Sequence, residues 1–83
     1  MERIFLTSME YKLLMFFITR PNQLVNVEEI IEFLDHDSSS FYTAQHVYVF
    51  IIRLRAKIEV NPKKPSLLIN LRPGYILNIK EQL

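Results

Sequence analysis

The sequence predicts an α+β domain in which three helices, preceded by a short N-terminal strand, lead into a C-terminal β-hairpin. Three observations predict it. Helix-start signals stand at Thr7 and Asn26; a stretch from Phe41 to Ile58 holds neither Gly nor Pro and repeats apolar residues at helical spacing; and two β-prone runs flank Pro73-Gly74, with the only glycine of the chain. The 83 residues leave room for one core, since chains of this size bury only about 60 to 65 per cent of their unfolded surface. Residues 1–83 are therefore read as a single domain. Cys is absent, so neither a disulfide nor a thiolate metal site can staple the fold. Packing must hold it, and a hydrophobic fraction of 49% with six Phe and four Tyr suffices for that, because each aromatic ring buries a large area.

Ile4-Phe5-Leu6 is a β-prone apolar run and the expected first strand. Thr7-Ser8-Met9-Glu10 then fits a capping box, in which the Thr7 hydroxyl serves one orphan amide of a helix start and Glu10 reaches back to another. The first helix is expected over residues 8–19, with Leu13, Leu14, Phe16, Phe17 and Ile18 on its apolar face, and Arg20-Pro21 ends it because a residue before proline is pushed out of helical conformation. Asn26 is the N-cap of a short second helix over residues 27–34. Glu28 and Glu29 lie in its first turn, where the helix dipole favours carboxylates. Asp35 to Ser40 reads as a polar loop. The long helix follows, with Ala44, Val47, Ile51, Leu54 and Ile58 as its core stripe. About 180° from that stripe lie Tyr42, Gln45, Val49, Ile52, Arg53 and Ala56, a mixture of apolar groups and one cation. Tyr48 and Phe50 flank the stripe and are read as packing. After the loop Asn61 to Pro65, strands over 67–71 and 75–79 are joined by Arg72-Pro73-Gly74, where Pro fixes one φ and Gly permits another. Two short helices before a longer one resemble a helix-turn-helix, and an appended hairpin makes a wing. The fold is therefore a winged helix-turn-helix.

The net charge of +1 hides an asymmetry. Residues 1–52 carry three basic against seven acidic side chains, a net of −4, whereas residues 53–83 carry seven basic against two acidic, a net of +5. Such a split points to nucleic acid or another anionic surface. His36 and His46 stand ten residues apart without Cys or a suitably spaced carboxylate, so no metal site is expected. Glu28-Glu29 has no nucleophile beside it, Ser38-Ser39-Ser40 is loop, and no glycine-rich turn cradles phosphate. Neither enzymatic activity nor a cofactor is expected. With no leader and no apolar run of about 18 residues, the chain is read as cytoplasmic, with no membrane partner.

Four blocks carry a family resemblance: Leu6-Thr7-Ser8-Met9-Glu10-Tyr11-Lys12-Leu13-Leu14; Pro21-Asn22-Gln23-Leu24 through Glu28-Glu29-Ile30; Val47 to Ile58, with Arg53-Leu54-Arg55-Ala56-Lys57 inside it; and Leu71-Arg72-Pro73-Gly74-Tyr75. In this order and spacing, over about residues 4–78, the sequence resembles the C-terminal effector domain of bacterial OmpR/PhoB-type response regulators. The resemblance implies sequence-specific binding of double-stranded DNA in transcription control. It places the long helix in the major groove, with Arg53 as base reader and Val49 against a thymine methyl. Arg55, Lys57, Lys63 and Lys64 become phosphate contacts, Asn70 and Arg72 the wing's contacts, and Tyr42, Gln45, His46 and Ile52 complete the recognition surface.

Regulators of this family bind direct repeats as head-to-tail pairs and carry an upstream receiver domain, which is absent from this chain. The chain departs from the family where Gln45-His46 replaces Arg-Thr, where Tyr48 replaces Asp and Phe50 replaces His, at Ile52, and in a wing one residue shorter. Several polar backbone contacts are lost with these, so a weaker or differently tuned reader is expected. The apolar groups Val49, Ile52 and Ala56 also suit a second reading. In it the same face meets protein, either an RNA polymerase subunit, another regulator or a second copy.

Overall fold

The computed structural model describes residues 4–35 and 41–79. The elements run α1 (Ser8–Ile18), β1 (Val25–Asn26), α2 (Val27–Asp35), α3 (Ala44–Ile58), β2 (Leu68–Leu71) and β3 (Gly74–Leu77). Of the polar loop expected over Asp35 to Ser40, Asp35 instead closes α2, and residues 36–40 lie outside the described residues.

The start of α1 is the capping box that its sequence predicts. The Thr7 amide donates to Glu10 Oε1 at 2.9 Å, and the Glu10 amide donates to Thr7 Oγ1 at 3.2 Å. At the other end Arg20 Nη1 donates to the Phe16 carbonyl at 3.0 Å while its guanidinium lies 4.0 Å from the centre of the Phe16 ring. A cation at this end complements the negative pole of the helix. In α2 the Asn26 side-chain oxygen accepts from the Glu29 amide at 2.8 Å, as an N-cap should.

The core gathers Leu13, Phe16 and Phe17 of α1, Ile30 and Leu34 of α2, Val47, Ile51 and Leu54 of α3, and Val25, Leu68, Tyr75 and Leu77 of the sheet. Two expectations for α3 are corrected. The helix begins at Ala44 rather than near Phe41, because Thr43 is an extended N-cap. Ala44 is exposed and outside the core stripe, since the packed interior reaches α3 only from Val47 onward.

The sheet order is β1-β3-β2, all antiparallel. The strand expected at Ile4-Phe5-Leu6 does not form. The edge of β3 facing away from β2 is instead taken by Val25–Asn26, with Val25 opposite Tyr75 and Asn26 opposite Gly74. Val25 is buried there, whereas Ile4 and Phe5 are exposed, so the later, shorter segment removes its side chain from water. Asn22 secures this arrangement. It sits at φ 61, a left-handed conformation that asparagine tolerates. Its Nδ2 donates to the Ile79 carbonyl at 3.0 Å, and its Oδ1 accepts from the Ile79 amide at 2.8 Å.

Gly74 is needed for a reason other than the one its Pro-Gly setting suggests. Its φ is not positive. It opens β3 opposite Leu71, and the turn is Arg72-Pro73, with a cis bond between them. A Cβ on Gly74 would stand 1.9 Å from the Val25 carbonyl oxygen and 2.6 Å from the Asn26 Cα. The glycine is therefore what lets β1 approach β3. Gly74→Ala is expected to push β1 off the sheet and to destabilise the domain by about 2–3 kcal/mol, the upper range for overpacking, as measured by urea unfolding. An unchanged midpoint would show that the β1 backbone yields at no cost.

Candidate nucleic-acid interface

One side of α3 faces the core and the rest carries the candidate residues. Gln45, His46, Ile52, Arg53 and Ala56 are exposed, and Val49 is half-buried. Tyr48, read from sequence as packing, is 51% exposed, because the packed core contacts α3 on a narrower strip than the apolar residues on it suggest. Ile52, at 44%, adds an apolar group to the same surface. Arg53 makes no ion pair and no hydrogen bond among the described residues.

The other two cations of Arg53-Leu54-Arg55-Ala56-Lys57, expected as phosphate contacts, also bond within the fold. Arg55 Nε donates to the Leu68 carbonyl at 2.9 Å, and its guanidinium lies 5.8 Å from the centre of the Tyr75 ring. Lys57 Nζ donates to the Phe5 carbonyl at 2.6 Å and pairs with Glu10 Oε1 at 2.9 Å. Two of the three Lys57 donors are thus engaged within the chain, although its side chain is 37% exposed. The hydrogen bond from Lys57 and that from the Thr7 amide hold the Glu10 carboxyl below its ordinary value despite its burial.

Glu59, which the sequence reading passed over, fixes the connection that follows. It is only 8% exposed. Its Oε1 accepts from the Ser66 amide at 3.0 Å and the Leu67 amide at 3.1 Å, and its Oε2 accepts from the Leu68 amide at 2.8 Å. Burial pushes this carboxyl up, but the amides of Leu68, Ser66 and Leu67 and the nearby Arg55 charge outweigh it, so the net direction is down. The one cue in the sequence was an isolated acid within a basic half.

The loop that Glu59 anchors carries Lys63 and Lys64, both exposed. Asn70 on β2 and Arg72 in the turn are exposed as well. Tyr42, placed by sequence on the helix face, instead precedes the Thr43 cap. Its ring meets His46 edge-on at 5.8 Å and Phe50 at 5.7 Å. Phe50 is half-buried against the core, as the sequence suggested. Among the described residues, no group of three or more His, Cys, Asp or Glu is placed to hold a metal ion, and no helix is long and apolar enough to cross a membrane. Among the described residues, the face is thus a helix with one arginine that bonds to no neighbour, apolar side chains beside it and lysines beyond its C-terminal end, suited to an elongated anionic partner.

Comparison with known proteins agrees with this geometry. The family described as "Transcriptional regulatory protein, C terminal" matches residues 1–77. The probable transcriptional regulator ycf27 of Guillardia theta is 38% identical over 77 residues, which are 90% of this chain and 30% of that protein. The chain thus spans under a third of that relative's length. Among solved structures it is similar to the response regulator DrrB, a Thermotoga maritima OmpR/PhoB homolog, with TM-score 0.81 and 24% identity over 93% of this chain and 35% of the other. It is also similar to the DNA-binding domain of the response regulator AdeR, solved in complex with an intercistronic region. There the TM-score is 0.71 and the identity 28%, over 92% of this chain and 74% of the other.

The Glu59 clamp sets an acid limit on the domain. Because its folded carboxyl ionises below the unfolded value, it stabilises above the ordinary carboxylate range, near pH 4.3. That contribution fades as pH falls through the lowered value. Glu10 acts with the same sign. Glu59→Gln is expected to cost about 1.5–3 kcal/mol at neutral pH, the worth of hydrogen bonds to a charged group, and to flatten the loss of stability on acidification. Denaturant midpoints of both proteins across pH 3 to 7 test this. Parallel curves would mean that the carboxylate's charge is irrelevant to the clamp.

Proposed function

Since this chain belongs to the family of C-terminal domains of transcriptional regulatory proteins, we propose that it binds double-stranded DNA sequence-specifically as the effector domain of a two-component-type response regulator. The exposed side of α3 enters the major groove. The observation that carries this reading is Arg53, which stands exposed and, among the described residues, bonds to no other side chain or backbone group, while Arg55 and Lys57 beside it are tied into the fold. Its fork of donors matches guanine O6 and N7, and Val49 and Ile52 suit thymine methyls. Gln45 and His46 lie toward the start of the same helix, with Tyr42 packed on its first turn. Lys63 and Lys64 hold phosphates and so set register without reading sequence. Asn70 and Arg72 bring the short wing to the flanking backbone. Arg55 and Lys57 add positive field rather than contacts. The AdeR domain bound to an intercistronic region supports the docking.

The single domain over residues 1–83 would work in the cytoplasm behind a receiver domain. On direct repeats two copies would sit head to tail. Exposed Ile52 and Tyr48 favour a second reading, a protein contact through α3 with a polymerase subunit or a second copy. The two readings separate in one titration series.

With Lys63, Lys64 and Arg72 as the phosphate contacts, log affinity is expected to fall with log salt at a slope of about −3, from −0.9 per neutralised phosphate. Had Arg55 and Lys57 also been phosphate contacts, the slope would approach about −4.5. Arg53→Ala is expected to cost about 1–3 kcal/mol and to relax base preference, while Lys63→Ala weakens all duplexes alike. Fluorescence anisotropy on duplexes selected by the wild-type chain from a random library provides both readouts. Binding that ignores salt, or an Arg53→Ala protein as selective as the wild type, would leave the protein-contact reading.

A further inference from the structure

His46 occupies an unusual place for its residue type. In a capping box the third helical residue is ordinarily Glu or Gln, whose side-chain oxygen accepts from the N-cap amide. Here Thr43 is the N-cap and His46 fills that third place. The Thr43 amide donates to His46 Nδ1 at 3.0 Å, and the His46 amide donates to Thr43 Oγ1 at 3.3 Å. A backbone amide only donates, so in its bond to the Thr43 amide Nδ1 offers a lone pair, and the Thr43 hydroxyl lies 3.2 Å from the same nitrogen, able to donate to it in that tautomer. In a neutral imidazole the proton then sits on Nε2. The ring is held as well as the tautomer. It stacks on Phe50 with centroids 6.4 Å apart and planes inclined 20°, and the Tyr42 ring meets it edge-on at 5.8 Å. His46 is exposed, and among the described residues its Nε2 has no partner.

Its direction relative to Arg53 follows from helix geometry. Seven residues at 3.6 per turn bring the two side chains within about 20° of one azimuth, about 10.5 Å apart along the axis. They therefore border the same rim of the exposed face. We propose that His46 is a tautomer-locked donor of the DNA-contacting face, its Nδ1 committed to the cap of α3 and its Nε2–H presented outward to an acceptor atom of the duplex. This rests on the DNA-binding reading. It assigns to one side chain two duties, starting the helix and aiming a donor, of which a Glu at this place could perform only the first and an Ala neither.

The test has a free-protein arm and a DNA arm. Long-range proton–nitrogen NMR of the free chain at neutral pH is expected to show the His46 proton on Nε2. A proton on Nδ1, or an even mixture of tautomers, overturns the lock. In the DNA arm a synthetic chain carrying Nε2-methylhistidine at position 46 keeps the cap and loses the donor. It is expected to melt as the wild type does but to bind the selected duplex about five- to tenfold more weakly, the worth of one neutral hydrogen bond. His46→Gln, which can both cap and donate, is expected to restore affinity to within about twofold. A loss shared by selected and scrambled duplexes identifies a phosphate acceptor, and a loss on the selected duplex alone identifies a base edge. Wild-type affinity in the methylated chain overturns the donor role while DNA binding stands. Absence of DNA binding by the unmodified chain would overturn the parent reading and the donor role together, leaving only the tautomer result.

Discussion

A buried carboxylate that accepts three consecutive amides is the constraint on which the second half of this domain depends. Glu59 follows the last residue of α3, and through Ser66, Leu67 and Leu68 it fixes where β2 begins. Asn78 donates to the Leu67 carbonyl, so in the alternating pattern of an antiparallel pair the amide and carbonyl of Leu68 point away from β3. Glu59 takes that amide and Arg55 takes that carbonyl. Two side chains one helical turn apart thus stand in for a neighbouring strand. They cover the start of an edge that would otherwise offer itself to another chain, and they orient the hairpin relative to α3 with hydrogen bonds rather than with loop length.

The same turn of α3 divides the charge of the chain in a way that composition conceals. Arg55 faces the sheet and Lys57 faces α1, where Glu10 both caps its own helix and receives the ammonium. Each cation placed inward is matched by an anion or a carbonyl, which is what partly buried charge requires. The net of +5 in residues 53–83 therefore overstates what a partner would meet. Among the described residues of this half, the exposed cations without an intramolecular partner are Arg53, Lys63, Lys64 and Arg72, the last three on loop and turn, while Lys57 is exposed but paired with Glu10.

Local signals in the sequence located most of the fold, and contacts distant along the chain account for what they missed. Thr7 with Glu10 and Asn26 with Glu29 are caps made within four residues, and both were legible. So was the Val47, Ile51, Leu54 stripe, because its period is a property of the helix alone. Lys57 was not, since its partner is 47 residues away and a lysine beside two arginines reads as one basic patch. Val25–Asn26 escaped notice because a two-residue strand has no periodicity to detect. Gly74 was located correctly but for the wrong reason, since a turn glycine and a close-approach glycine look alike in sequence. His46 was seen as a departure from a family pattern. That it completes a cap follows only when Thr43, three residues back, is recognised as the N-cap.

Under the DNA-binding reading, these assignments change the balance between affinity and specificity. Counterion release makes every exposed cation a contribution to binding any sequence. Withdrawing Arg55 and Lys57 into the fold lowers that sequence-independent share and leaves Arg53, Val49, Ile52 and His46 with a larger part of the total. Ile52 and Val49 add little to a nonspecific complex, in which water still separates the helix from the base edges. They contribute once the surfaces meet and that water is displaced. The apolar character of the face, which first suggests a protein partner, is thus also what a reader with few free cations needs if it is to tell one duplex from another.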